Sequence, residues 1–512
     1  VFIAAENGAL RGGKVGGVAD VVRDLPATLC DLRWKVSVVT PAYGALHKLP
    51  GSTKFTSVKV AFADKLEHVD IWQVPGSHAG VRNLVLDHEL FATGGPGKIY
   101  FGDEPDRPYA TDANKFALLC ATVATWLNEA ETLPDVVHLH DWHAAFYCVL
   151  REFSEDYRRL RKVRTVFTIH NLSYQGTRPL RGDPSSLEAW YPGLGYDVEL
   201  VRDPVLAHCI NPMATAIRLA DKISTVSPTY AREICLPSNP TKSFVGGEGL
   251  EELLQEALGN GRLVGVLNGC YYEPMPVSLS WPKMLTAMRA QVAAWEKAHP
   301  SNPAHPLAAS RLEALSSRKP RTILTSVGRL VAQKATLFEA TGASGKPALE
   351  EVAQLLGKND LLLVLGSGEP EFEKVVLQIA GRNANVLFLC GYSETLADPL
   401  YGLGQVFLMP SSFEPCGISQ MLAMRAGQPC IVHGVGGLRD TVEDAITGFV
   451  FYGDDLAAQA SAFVATTKRA LKLKRNQPGA WKNICAAASK QRFEWSKSAE
   501  QTVRNLYESD HD

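Results

Sequence analysis

Residues Gly8 to Lys14, GALRGGK, read G-x-x-x-x-G-K, the opening of a phosphate-cradling P-loop, and they follow an apolar run, Val1 to Ala5, with the character of a strand. A P-loop needs Ser or Thr next, to hold the magnesium that bridges the phosphates, and position 15 is valine. The full motif therefore fails. What remains is a glycine-dense turn, one lysine and a helix start at VADVVRDL. Helix N-termini favour anions because their first N–H groups lack partners, so a phosphate-bearing ligand that is not hydrolysed fits this turn.

Four more segments carry chemistry. In HLHDWH, His138 and His140 fall on one face of a strand and His143 follows closely, which raises a metal reading. The binuclear metallohydrolase order would need Asp at position 142, which is tryptophan, so no metal is expected and Asp141 reads as a strand-end group facing a ligand. In VFTIHNLSYQG, His170 and Asn171 close another strand, where they can meet hydroxyls. In SVGRLVAQKA a strand ends at Gly328, and Arg329 and Lys334 flank the next turn, two cations placed for a diphosphate. In MPSSFEPCGISQML a turn carries Glu414 ahead of a helix start, where a carboxylate either caps the helix or contacts a sugar while the helix N–H groups bind phosphate. HGVGGLRDTVED repeats that device.

These groups need elements to hold them. Strand-like runs alternate with helical stretches: KVSVVT, VRNLVLD, VVHLHD, VRTVFTIH and KISTVS, then RTILTSVGRL, DLLLVLGSG, NVLFLCG, QVFLMPS, PCIVHG and TGFVF. Such alternation predicts an α/β chain of parallel sheets covered by helices on both faces, in two doubly wound Rossmann-like domains. Ligands of open α/β sheets bind at the carboxyl ends of the strands, so two facing domains place the site in a deep cleft. The Pro- and Ala-rich stretch from about Cys270 to Pro320, including HPSNPAHPLAAS, reads as the linker.

Composition bounds the function. At 512 residues the chain exceeds one ordinary core. With 52 Lys+Arg against 54 Asp+Glu it lacks the basic excess that nucleic-acid binding usually needs. No run approaches the about 18 apolar residues of a membrane span. Ten cysteines without a C-x-x-C pair suit a reducing compartment. The chain begins without Met on a strand-like segment, which suggests a trimmed start, with any targeting peptide out of view.

Together the motifs resemble one family, the glycogen and starch synthases, retaining glucosyltransferases of the two-domain B-type fold. KVGGVADV is similar to the family's KxGGLGDV. HDWHA, FTIHNLSYQG, STVSPTYAREI, GRLVAQK, FEPCGISQ, GGLRDTV and FEWSKSAEQTVRNLY resemble family segments in the same order. The resemblance implies transfer of glucose from ADP-glucose to the non-reducing end of an α-1,4-glucan or maltooligosaccharide with retention, without metal or other cofactor. Retention is compatible with a covalent carboxylate or with same-face attack. By the same resemblance, Asp141 and His170 contact the transferred glucose and the acceptor, Arg329 and Lys334 hold the diphosphate, and Glu414 faces the glucose. Lys14, Gly17 and Gly328 lie near the donor, Gly391 and Tyr392 flank the nucleotide, and Cys416, Gly417 and Ser419 close over it.

The implied domains are residues 1–275, on the glucan side and completed by a C-terminal helix at about 490–512, and 276–489 on the donor side. The implied compartment is the cytoplasm for a bacterial protein and the plastid for one from a plant or alga. The chain departs from the family pattern at Ala19 and Ala335, where glycine is usual, and in NGCYY, where Tyr271 replaces an aspartate. That last change supports an alternative, a catalytically impaired glucan-binding scaffold of the same fold.

Overall fold

The computed structural model of the chain describes residues 1–272 and 279–508. Contacts divide it into two compact units: Val1–Ser238 with Gly246–Asn268 and the segment from Trp495 onward, and Asn239–Val245 with Gly269–Glu494. The domain boundary expected between residues 275 and 276 lies outside the described residues, and the chain passes from one unit to the other between Asn268 and Gly269.

The strands of the first unit are β1 (Phe2–Ile3), β2 (Ser37–Pro41), β3 (Thr53–Phe62), β4 (Lys65–Val74), β5 (Arg82–Asp87), β6 (Val136–His140), β7 (Arg164–Ile169), β8 (Arg178–Pro179), β9 (Cys209–Ile210), β10 (Lys222–Thr225) and β11 (Leu263–Gly265). Nine of them form one sheet in the order β11-β10-β7-β6-β1-β2-β5-β4-β3, and β8 pairs with β9. The core strands are parallel, as the alternation of strands and helices predicts. Side chains alternate between the faces: Ile3, Val39, Leu139 and Phe167 enter one core, and Phe2, Val38, Val136 and Val166 enter the other. The second core is closed by Val21, Val22 and Leu25 of the helix Gly17–Asp31 and by Trp495, Ala499, Leu506 and Tyr507 of the C-terminal segment.

One feature escapes the strand pattern. β3 and β4 form a long antiparallel hairpin on the edge of the sheet, so this sheet is mixed. Their residues alternate buried and exposed instead of running apolar, and the turn between them is Ala63-Asp64 rather than the Asn-Gly that usually announces a hairpin. Both turn residues take positive φ, 51° and 60°, as a type I′ turn requires.

The second unit holds β12 (Thr322–Val327), β13 (Asp360–Gly366), β14 (Val386–Cys390), β15 (Val406–Met409), β16 (Cys430–His433) and β17 (Gly448–Phe451), all parallel in the order β14-β13-β12-β15-β16-β17. This is the doubly wound order, with its reversal between β12 and β15.

The stretch read as a linker is folded. It forms the helices Trp281–Ala298 and Ala304–Ala314, whose Trp281, Met284, Leu285, Met288, Val292, Ala308 and Leu312 pack on Ile323, Leu361, Leu363 and Leu387 of the sheet. The prolines that suggest a linker sit instead where helices tolerate them, Pro282 in the first turn and Pro303 at the N-cap, because no intrahelical N–H is lost there. Met288→Ala is therefore expected to cost about 2–5 kcal/mol of stability by chemical denaturation. A change within about 0.5 kcal/mol, as at a loose surface position, would contradict this packing.

Candidate active site

In the first unit the chain reverses direction across the sheet between β1 and β6, and the polar residues gather at the carboxyl ends of these strands and β7. Glu6 follows β1 and is buried. Its Oε2 accepts from the N–H groups of Val15 (2.7 Å) and Gly16 (2.6 Å), and its Oε1 accepts from the Tyr100 hydroxyl (2.7 Å). The amides of the P-loop-like turn thus hold a carboxylate of the chain itself. Lys14 lies exposed and pairs with Asp20 at 2.8 Å. Gly17 opens the helix with free space where a side chain would stand.

Asp141 joins β6 to the helix Asp141–Phe153 in a left-handed conformation, φ 56°, which is unfavourable for most side chains but tolerable for Asp. Its Oδ1 accepts from the backbone N–H groups of His170 (2.7 Å) and Asn171 (3.4 Å), fixing the end of β7 beside it. Burial pushes this carboxyl up to about 7, against the pull of those two amides and with a further push from the charge of Glu6. Burial also pushes His170 and His143 down to about 3, and His138 and His140 well below the ordinary histidine value, so these rings are neutral near pH 7.

The histidines of HLHDWH are spent on the protein. His138 bonds the Tyr507 hydroxyl (2.7 Å) and Thr168 Oγ1 (2.6 Å), His140 bonds His170 (2.8 Å), and His143 packs on Phe116 and Trp142. Among the described residues no group of three or more His, Cys, Asp or Glu side chains is arranged to hold a metal ion.

In the second unit Gly328, Arg329 and Lys334 follow β12, and Ser411 and Glu414 follow β15, so they flank the reversal point of that sheet. Gly328, Arg329, Lys334 and Ser411 line a small pocket with Met409 and Pro410. Glu414 is buried, with Lys334 Nζ 3.4 Å from Oε2, Ser411 Oγ donating to the same oxygen at 3.0 Å, and Gln333 Nε2 donating to Oε1 at 3.4 Å. Its backbone carbonyl accepts from Gly437 N–H at 3.0 Å, which ties the two glycine-bearing turns together. Arg329 is exposed and has no ion-pair partner among the described residues.

Gly391 follows β14, and a side chain there would strike the ring of Trp295 at 2.5 Å, so the refolded "linker" helix dictates glycine at that strand end. Tyr392 is exposed, its hydroxyl donating to Glu394 at 2.7 Å. Cys416 is buried, Gly417 takes φ 77°, and Ser419 begins the short helix Ser419–Arg425. The departure at NGCYY is anchored within this unit: Arg425 donates to the Tyr271 carbonyl at 2.6 Å, and the Phe493 N–H donates to the Tyr272 hydroxyl at 2.7 Å.

The structure thus groups Asp141 with His170 in one unit, and Gly328, Arg329, Lys334 and Glu414 in the other. Glu6, Tyr100, Gln333 and Ser411 join these clusters without having been singled out in the sequence. Gln333 and Ser411 lie inside the quoted motifs, and Glu6 is signalled only by being a carboxylate one strand end away from a glycine turn.

Two Rossmann-like units with polar groups at their reversal points define a glycosyltransferase of the B-type fold. The family model for the starch synthase catalytic domain matches residues 1–256, and that for glycosyl transferases group 1 matches residues 321–469. The chain is 32% identical to the glycogen synthase of Gloeobacter violaceus, covering 99% of this chain and 98% of the relative. It is 31% identical to that of Streptococcus sanguinis, covering 99% of each. Among solved structures, the catalytic domain of starch synthase IV from Arabidopsis thaliana, bound to ADP and acarbose, superposes with a TM-score of 0.74 at 27% identity, covering 99% of this chain and 98% of that one. Sucrose-phosphate synthase from Thermosynechococcus elongatus, at 16% identity and a TM-score of 0.55, shares the fold. The chain belongs to the glycogen and starch synthase family of retaining glucosyltransferases. Among the described residues no helix is long and apolar enough to cross a membrane.

Burial of Asp141 has a measurable consequence. Between the ordinary carboxyl value of 3.8 and about 7 the folded protein keeps a proton that the unfolded chain releases, so this group's contribution to stability falls as pH rises through that window. The buried histidines act oppositely below their ordinary value of 6.5, where the unfolded chain binds protons that the folded protein refuses. Asp141→Asn isolates the carboxyl. Its stability relative to wild type is expected to rise from pH 5 to pH 8, with a slope of at most about 1.4 kcal/mol per pH unit, the value for one proton. A pH-independent difference in denaturation midpoints would refute a carboxyl that titrates late.

Proposed function

We propose that the protein transfers glucose from ADP-glucose to the non-reducing end of an α-1,4-glucan, with the second unit taking the donor and the first the glucan. The observation that carries this reading is the constellation after β12 and β15: a free guanidinium, an ammonium and a buried carboxylate already held in hydrogen bonds. The ADP and acarbose bound by starch synthase IV support a nucleoside diphosphate and an oligosaccharide as the ligand classes.

As the glycosidic bond to the diphosphate breaks, negative charge builds on the leaving phosphate and positive charge on the sugar ring. Arg329 and Lys334 bind the diphosphate and stabilise the first, since both stand at the strand ends where that charge builds. Lys334 exchanges its contact with Glu414 for the phosphate, which frees Glu414 for the glucose hydroxyls. Gly328 allows the backbone close to the phosphates, Gly391 and Tyr392 flank the nucleotide, and Cys416, Gly417 and Ser419 close over it. In the first unit, the glycine turn offers Lys14, an exposed ammonium, and Gly17, an unobstructed backbone, to a ligand. Asp141 and His170 meet the hydroxyls of the transferred glucose and of the acceptor. No residue of the set needs a metal ion for these roles.

Incorporation of label from ADP-glucose and, in parallel, from UDP-glucose into a short maltooligosaccharide with EDTA present tests the reading. Elongation from ADP-glucose at an undiminished rate under chelation is expected. Preference for UDP-glucose would overturn the donor assignment, and loss of activity with EDTA the metal-free chemistry. Lys334→Ala is expected to lower kcat about 10²- to 10³-fold and to weaken ADP binding as well, because both draw on the same charge. Glu414→Gln should lower kcat about 10²-fold with ADP affinity nearly kept. If Lys334→Ala changed only the melting temperature, the cation would be structural.

A further inference from the structure

His140 has no assigned role beyond the strand end that carries it, yet it makes the one side-chain bond that His170 receives from the described residues: Nδ1 of His140 lies 2.8 Å from Nε2 of His170. The rest of His140 is tightly set. Its ring stacks on His138 at 4.4 Å between centroids and on Phe2 at 5.1 Å, and its Nε2 is buried without a partner. His138 is fixed in turn from both nitrogens, by the Tyr507 hydroxyl and by Thr168 Oγ1, itself 2.6 Å from Ser224 Oγ. The other nitrogen of His170, Nδ1, bonds no described residue and is not sealed from solvent.

We propose that His140 is a positioning residue: by occupying Nε2 it fixes the plane of the His170 ring and leaves Nδ1 as the only edge that His170 can present to a sugar hydroxyl. The proposal rests on the reading of His170 as a hydroxyl-contacting group. The physical reason is that an imidazole held at one nitrogen has its orientation set by that bond, so the free nitrogen has a defined direction. A ring pinned only by packing could flip, exchanging the two nitrogens and blurring that direction. The register of the sheet enables the contact: His140 pairs with Thr168 across β6 and β7, which places its side chain one step from the end of β7, where His170 follows. Because burial keeps all three rings neutral near pH 7, a single proton lies between the two nitrogens and the bond is an ordinary N–H···N contact.

The test combines kinetics with a spectroscopic measurement on the unaltered protein. In ¹⁵N-histidine-labelled wild type without ligand, a coupling across the hydrogen bond between Nδ1 of His140 and Nε2 of His170 is expected, assigned with His140→Asn and His170→Ala. In glucose transfer, His140→Leu, which fills space but cannot bond, should lower kcat by about tenfold or more, on the scale set by misplacing a contacting group, with ADP affinity changed less than twofold. His140→Asn, whose side-chain amide reaches the place of Nδ1, should recover most of that loss. Equal impairment of the Leu and Asn variants would overturn the proposal, since packing alone would then matter, as would absence of the coupling or a wild-type rate in His140→Leu. A wild-type rate in His170→Ala would overturn the functional reading beneath it. A slow His170→Ala beside an unimpaired His140→Leu would overturn the positioning role alone.

Discussion

Dry burial of polar groups at the ends of three neighbouring strands is the constraint on which the first unit is built. Glu6, His138, Asp141 and His170 have little access to water, so each must be satisfied by protein or bear the cost of an unmade hydrogen bond. The solutions interlock. Asp141 is held by the amides that begin the loop after β7, Glu6 by the glycine turn and Tyr100, and His138 by the C-terminal segment. The C-terminal residues thereby become part of the support for the strand ends, although they lie more than 360 positions from His138.

The second unit solves a different problem. Its strand ends carry charge on Arg329, Lys334 and Glu414, and at Gly391 the ring of Trp295 leaves no room for a side chain. Lys334 and Glu414 partly neutralise each other, and Ser411 and Gln333 share the carboxylate, so neither ion waits uncompensated in a partly buried place.

Much of this was legible from the residues. The parallel strands are continuous apolar runs because both of their faces are buried, and the glycine, Arg-Lys and Glu turns stand at their ends as the topology requires. Three things were hidden for physical reasons. The β3–β4 hairpin alternates Lys and Thr with Val and turns through Ala63-Asp64, so neither its pattern nor its turn resembles the strongest signals. The Pro-rich segment after Cys270 mimics a linker because helix-starting and helix-breaking prolines are the same residue in different positions. The bond from His140 to His170 depends on strand register, which no local pattern encodes.

The filled glycine turn bears on competition in a crowded cell. A true P-loop collects free phosphate, pyrophosphate and nucleoside triphosphates because its amides are vacant. Here two of those amides are saturated by Glu6, whose negative charge repels further anions at the same spot. The chain keeps the tight backbone geometry of an anion cradle but fills two of its donor positions from within, so a ligand would have to displace Glu6 to reach those two amides.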